Sequence, residues 1–137
     1  MDKFWIVVTS VFVIGVIMVL FAGNGTSMNV KDLETECQYR NSPGQTVDIK
    51  ADSLRFSGNF PVNNIQQEPK VSYSVSSNRI TLEVDVSDVE EPESFYYNCL
   101  ASVVYDVETD SKPGPGNYIL SVVHDGEVAE RRIVTLR

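Results

Sequence analysis

The chain has 137 residues and a formal net charge of −8, from 19 acidic and 11 basic side chains. Such a surface is repelled by phosphate backbones and anionic head groups, which argues against nucleic acid as a partner. Two cysteines and one distant histidine supply no zinc-ligand spacing.

The first element is Phe4 to Ala22, FWIVVTSVFVIGVIMVLFA, which contains no charged residue. As a helix, its roughly nineteen residues at ~1.5 Å each match the ~30 Å hydrocarbon core of a bilayer. Thr9 and Ser10 can return their hydroxyls to backbone carbonyls one turn back, so neither is stranded in lipid. A retained anchor and a cleaved signal peptide compete for this segment. The run is longer than the about 7–15 apolar residues of a secretory signal. Cleavage after Ala22 would also place bulky Leu20 three residues before the cut. The expectation is therefore a signal-anchor, a single N-terminal transmembrane helix. Lys3 lies on one flank, and no Lys or Arg occurs from Gly23 to Val30. That is the positive-inside pattern for a cytoplasmic N-terminus and an extracytoplasmic body in the cell membrane. Asn24-Gly25-Thr26 is a glycosylation acceptor by pattern, usable only outside the cytoplasm, and makes Asn24 a candidate.

About 114 residues follow the anchor, the size of one domain. An even cysteine count in an oxidising compartment predicts a Cys37–Cys99 disulfide, with two buried free thiols as the alternative. Residues 24–43 read as a tether: Met28, Val30 and Leu33 are scattered among polar residues, with room for a short helical turn near Val30 to Glu36. Asn41-Ser42-Pro43-Gly44 is a turn signal.

From there the hydrophobic period is two. Val47 and Ile49 form one alternating run, and Leu54 and Phe56 another, which Gly58-Asn59-Phe60-Pro61 is expected to break. A polar loop covers Val62 to Pro69. Val71, Tyr73 and Val75 alternate with serines, Ser77-Asn78 makes a tight turn, and Ile80, Leu82, Val84 and Val86 complete a hairpin. Asp88 to Glu93 is an acidic loop. A strand is expected from about Phe95 to Val107, with Cys99, Ala101, Val103, Tyr105 and Val107 on one face. A Pro/Gly loop leads to Tyr118 to His124, apolar enough to be central. Asp125-Gly126 is a hairpin signal, and Val128 to Leu136 follows. The expected organisation is an anchor at 1–23, a tether at 24–43 and a domain at 44–137. The predicted fold is all-β, an antiparallel sandwich of about seven strands.

Gly116-Asn117-Tyr118-Ile119-Leu120 resembles the Gly-x-Tyr-x-Cys corner of immunoglobulin-like folds, with Leu120 where the Cys would stand. Pro113 to Leu136 is similar to the closing hairpins of prokaryotic extracytoplasmic immunoglobulin-like or fibronectin-III-like modules. The resemblance implies a two-sheet sandwich in which Tyr118 is structural and its hydroxyl bonds to upstream backbone. It departs from true immunoglobulin domains because the only Trp is Trp5 and Cys37 precedes the first expected strand. A likeness of this kind implies no activity.

Catalytic chemistry has little support. The neighbour of His124, Asp125, would point to the opposite face of a continuing strand and could not orient it. No serine is selected as a nucleophile, and no cofactor motif occurs. Asp106, Glu108 and Asp110 recur at strand spacing and are candidate Ca²⁺ ligands, with a solvated acidic rim as the alternative. Phe60 and the run Phe95-Tyr96-Tyr97 are candidate contact residues, with burial at the ends of the sandwich as the alternative. The expected function is non-catalytic: binding, adhesion or service as an accessory module of an envelope complex. Its partners would be the membrane, through the N-terminal helix, and another envelope protein or a surface glycan. The rivals are a structural subunit of a surface filament or secretion machine, and a secreted hydrolase.

Overall fold

The computed structural model describes residues 27–38, 44–89 and 99–137. The apolar segment Phe4 to Ala22, Asn24 and the Phe95-Tyr96-Tyr97 run lie outside the described residues. Among the described residues no helix is long and apolar enough to cross a membrane.

Every element among the described residues is a strand: β1 Met28–Glu36, β2 Gly44–Ile49, β3 Leu54–Val62, β4 Pro69–Ser76, β5 Arg79–Val86, β6 Ala101–Thr109, β7 Gly116–His124 and β8 Glu127–Leu136. They form two four-stranded sheets, ordered β1-β6-β3-β2 and β4-β5-β7-β8. Side chains at alternate positions meet between the sheets, as the period of two requires. The first sheet contributes Leu54, Phe56, Val103, Tyr105 and Val107 to the core, and the second contributes Ile80, Leu82, Val84, Leu120 and Val122. Burying each is worth about 1.5–3 kcal/mol before chain entropy is subtracted. The described residues thus form an all-β two-sheet sandwich.

The hairpins stand where turn chemistry predicts them. β4 and β5 pair from Pro69↔Val86 to Ser76↔Arg79 around Ser77-Asn78. Asp125 and Gly126 both take positive φ (49° and 82°) between β7 and β8. That is the type I′ pattern, whose twist matches the flanking strands.

Four expectations are corrected. The segment 28–36, expected within the tether or as a helical turn, is strand β1, paired antiparallel with β6. It accounts for an eighth strand, and its sparse apolar residues suit an edge position in which only Met28 and Leu33 pack on the core. Second, β3 runs through Gly58 to Val62 without a break, because Gly58 stands opposite Tyr105 and makes room for its ring. Third, the strand expected to contain Cys99 begins at Ala101. Fourth, β5 and β7 pair in parallel, from Arg79↔Ile119 to Val84↔His124. The intervening β6 lies in the opposite sheet, so the chain crosses the sandwich and returns beside β5 in the same direction.

Cys37 and Cys99 form a disulfide. It lies just beyond the last β1–β6 register pair, Glu36↔Ser102, and locks that end of the edge strand.

Candidate functional site

The acidic candidates lie mainly on the outer face of the first sheet. Asp106 and Glu108 alternate along β6 and share that face, as their spacing requires. Both carboxylates are bonded by cationic side chains. The Arg55 guanidinium grips Asp106 with both arms, Nε to Oδ1 at 2.8 Å and Nη2 to Oδ2 at 2.6 Å. Glu108 is held by Lys31 of β1, by Lys50 at 2.8 Å and by the Ser53 hydroxyl at 2.8 Å. These hydrogen bonds, from Lys31 first, draw the Glu108 carboxyl down to about 2, and the bond from Arg55 lowers that of Asp106. Asp110 lies past the end of β6, exposed, with its N–H donating to the Ser27 carbonyl at 3.0 Å. The Ca²⁺ set Asp106, Glu108 and Asp110 is therefore not assembled: two members are paired with Arg and Lys side chains and the third lies past the end of the strand. Among the described residues no group of three His, Cys, Asp or Glu side chains converges as a metal site.

A second constellation lies at the opposite end of the inward face. β7 points Leu120, Val122 and His124 inward, so the His that ends the strand is buried, at 7 % exposure. Its Nε2 is 2.9 Å from the Tyr105 hydroxyl, and Tyr105 approaches its ring edge-on at 5.5 Å. Phe60 stacks on the imidazole with centroids 4.5 Å apart and planes 15° apart. Phe60 is thus a buried packing residue and not an exposed contact, because it points inward on β3. Burial lowers the His124 pKa and keeps the ring neutral at neutral pH. Burial, with a smaller contribution from the Glu130 carboxylate, raises that of Tyr105.

Beside this cluster the sandwich opens into a depression of about 530 Å³, bordered by Gln45, Phe60, His124, Asp125, Glu127 and Val128. Because β7 ends at His124, Asp125 borders the same depression as its neighbour and does not point away from it. The hydrogen-bond partner of His124 is nonetheless Tyr105. The gap between β2 and β8 is bridged by side chains: Gln45 Nε2 donates to the Ala129 carbonyl at 3.4 Å, and Arg132 to that of Val47 at 3.3 Å. The two acidic side chains on its border, Asp125 and Glu127, are complementary to a cationic group.

At the start of β7, the Tyr118 hydroxyl donates to the Gly114 carbonyl at 2.8 Å, closing the Pro/Gly loop, while its ring packs half-buried against the core. Sequence reasoning missed the Tyr105–His124–Phe60 cluster. Its signal was Gly58, because an isolated Gly in an alternating strand marks a close approach of another group. No known protein family, curated protein or solved structure matches the chain.

Proposed function

We propose that the chain is a membrane-tethered, extracytoplasmic β-sandwich that works by binding and not by catalysis, its partner being another envelope protein or a surface glycan. The observation that carries this reading is the Cys37–Cys99 disulfide. Such bonds persist in oxidising compartments and are rare in the cytosol. The charge-free run Phe4 to Ala22 supplies the tether in this reading, and the acidic surface keeps the displayed body soluble. The immunoglobulin-like likeness rests on the two packed sheets and on the Tyr118–Gly114 hydrogen bond. The parallel β5–β7 pair departs from the antiparallel pattern of that fold. The depression beside His124 is the contact surface we assign, and Asp125 and Glu127 on its border suit a cationic side chain on a protein partner.

Protease treatment of intact spheroplasts expressing the full chain tests the placement. The body should be digested from outside while an N-terminal tag stays protected, and the protein should remain with carbonate-washed membranes. A body sheltered in the cytosol with both cysteines alkylatable would sink the reading. Cross-linking and pull-down from membranes should recover a partner that Asp125→Asn with Glu127→Gln releases.

A further inference from the structure

The chain enters the sandwich at one end, and the depression opens at the other. β1 begins at Met28, opposite Thr109, and ends at Glu36, opposite Ser102. At the entry the Asp110 N–H donates to the Ser27 carbonyl at 3.0 Å, which fixes the starting point against β6. On its other side β6 sets Ser102 opposite Pro61 and Val103 opposite Phe60. Phe60 and Pro61 both border the depression, so it lies level with the far end of β1. At about 3.3 Å per residue, the nine residues of β1 rise roughly 26 Å from first to last.

That rise exceeds the reach of the chain before it. The apolar run ends at Ala22, five residue steps before Ser27. Fully extended, those steps span at most about 18 Å. With Ala22 at a membrane surface, the sandwich cannot turn end over end to lay the depression on the head groups, because its entry point would then stand roughly 26 Å away. Charge opposes a posture lying flat. Glu68, Asp125 and Glu127 stand at the far end. Lys31, Lys50 and Lys112 gather with Glu108 at the entry end. Anionic head groups repel the first group and accommodate the second.

We infer that the sandwich stands on the membrane by its Met28 end and presents the depression outward, to a protein partner that offers a Lys or Arg side chain from beyond the membrane plane. This placement rests on the tethered reading of the chain. It puts lipid head groups and membrane-embedded segments of neighbours below the depression, so the occupant comes from the space outside. Asp125 and Glu127 on the border supply its counter-charges.

The test uses the full chain in proteoliposomes. Ser111→Cys, at the entry end, and Val128→Cys, at the depression, each carry a donor dye, attached without reductant so that the native disulfide stays closed. The lipid head groups carry the acceptor. Energy transfer should be several-fold stronger from position 111 than from position 128, and equal or reversed transfer overturns the placement. Loss of the protein from the vesicle fraction sinks the tethered reading itself, and the placement with it. Beads coated with an oligoarginine peptide, too large to enter the gap beside the bilayer, should capture the proteoliposomes. Asp125→Asn with Glu127→Gln should weaken capture several-fold. Asp48→Asn with Asp52→Asn, the same change of charge near the entry end, should leave it intact. No capture of the wild type, or capture that the two pairs affect alike, overturns the assignment of a basic partner to the outward end.

Discussion

Gly58 shows how a single missing methyl sets the interior. A Cβ there would lie 2.5 Å from the Gly44 carbonyl oxygen and 2.5 Å from the Tyr105 hydroxyl oxygen. The first belongs to the backbone of a paired strand and cannot swing aside. Gly58→Ala should therefore destabilise the sandwich by about 1–3 kcal/mol, the range for overpacking a filled core. Adding Tyr105→Phe should recover part of that loss, so urea unfolding of the two single variants and the double should show a non-additive cycle. Additive costs would mean that the hydroxyl and the new methyl do not meet. Tyr118 is the contrasting case. Its hydrogen bond to Gly114 is exposed, so water can replace it. Tyr118→Phe should cost about 0.5–1.5 kcal/mol. Tyr118→Ala, which strips a half-buried ring from the core, should cost about 2 kcal/mol, again read from urea midpoints.

At the scale of elements, β1 depends most on one covalent bond. It is an edge strand, largely exposed, and its half-buried Met28 and Leu33 contribute little core. The disulfide closes a loop of sequence separation 62 and anchors the end of β1 beside β6. The chain-entropy relation gives roughly 4 kcal/mol for a loop of that size. Reduction should lower stability by about 2–4 kcal/mol, and the amides of β1 should lose hydrogen-exchange protection before those of β6. Equal protection of β1 in the oxidised and reduced protein would show that pairing alone holds the strand.

Over the whole molecule, acid should act in two stages with the same sign. Burial lowers the folded-state pKa of His124 below 6.5. Below about pH 6.5 the unfolded chain takes up a proton that the folded state refuses, so stability falls until the buried ring itself titrates. The Glu108 carboxyl, drawn down to about 2 by Lys31, Lys50 and Ser53, adds a second stage. Its contribution is complete above the ordinary carboxylate value of 4.5 and is lost as pH falls toward about 2, with Asp106 adding to the same limb. Urea midpoints measured against pH should fall through both windows. His124→Gln should flatten the upper limb and Glu108→Gln the lower one. A wild-type profile flat from pH 7 to 5 would contradict the buried neutral imidazole.

How much of this was legible in advance divides along the range of the interactions. Period-two alternation and turn chemistry are local properties, so the strands around Val71–Val75 and Ile80–Val86, the Asp125-Gly126 turn and the all-β class could be read from the sequence alone. The pairing of the two cysteines followed from their number and the expected compartment. What the tertiary structure decided depends on residues brought together from distant parts of the chain. β1 is a strand because β6 offers it an edge, since its own pattern is too sparse to announce one. The parallel β5–β7 pair exists because β6 was laid down in the other sheet. Asp106 and Glu108 share a face, as their spacing predicts, but Lys31 of β1 and Lys50 and Arg55 of the β2–β3 hairpin, all remote from β6 in sequence, turn a candidate metal site into an ion-pair cluster. The burial of His124 beside Tyr105 and Phe60 has the same origin. A strand's period gives the face on which a side chain lies, whereas only the packed sheets determine what that face meets.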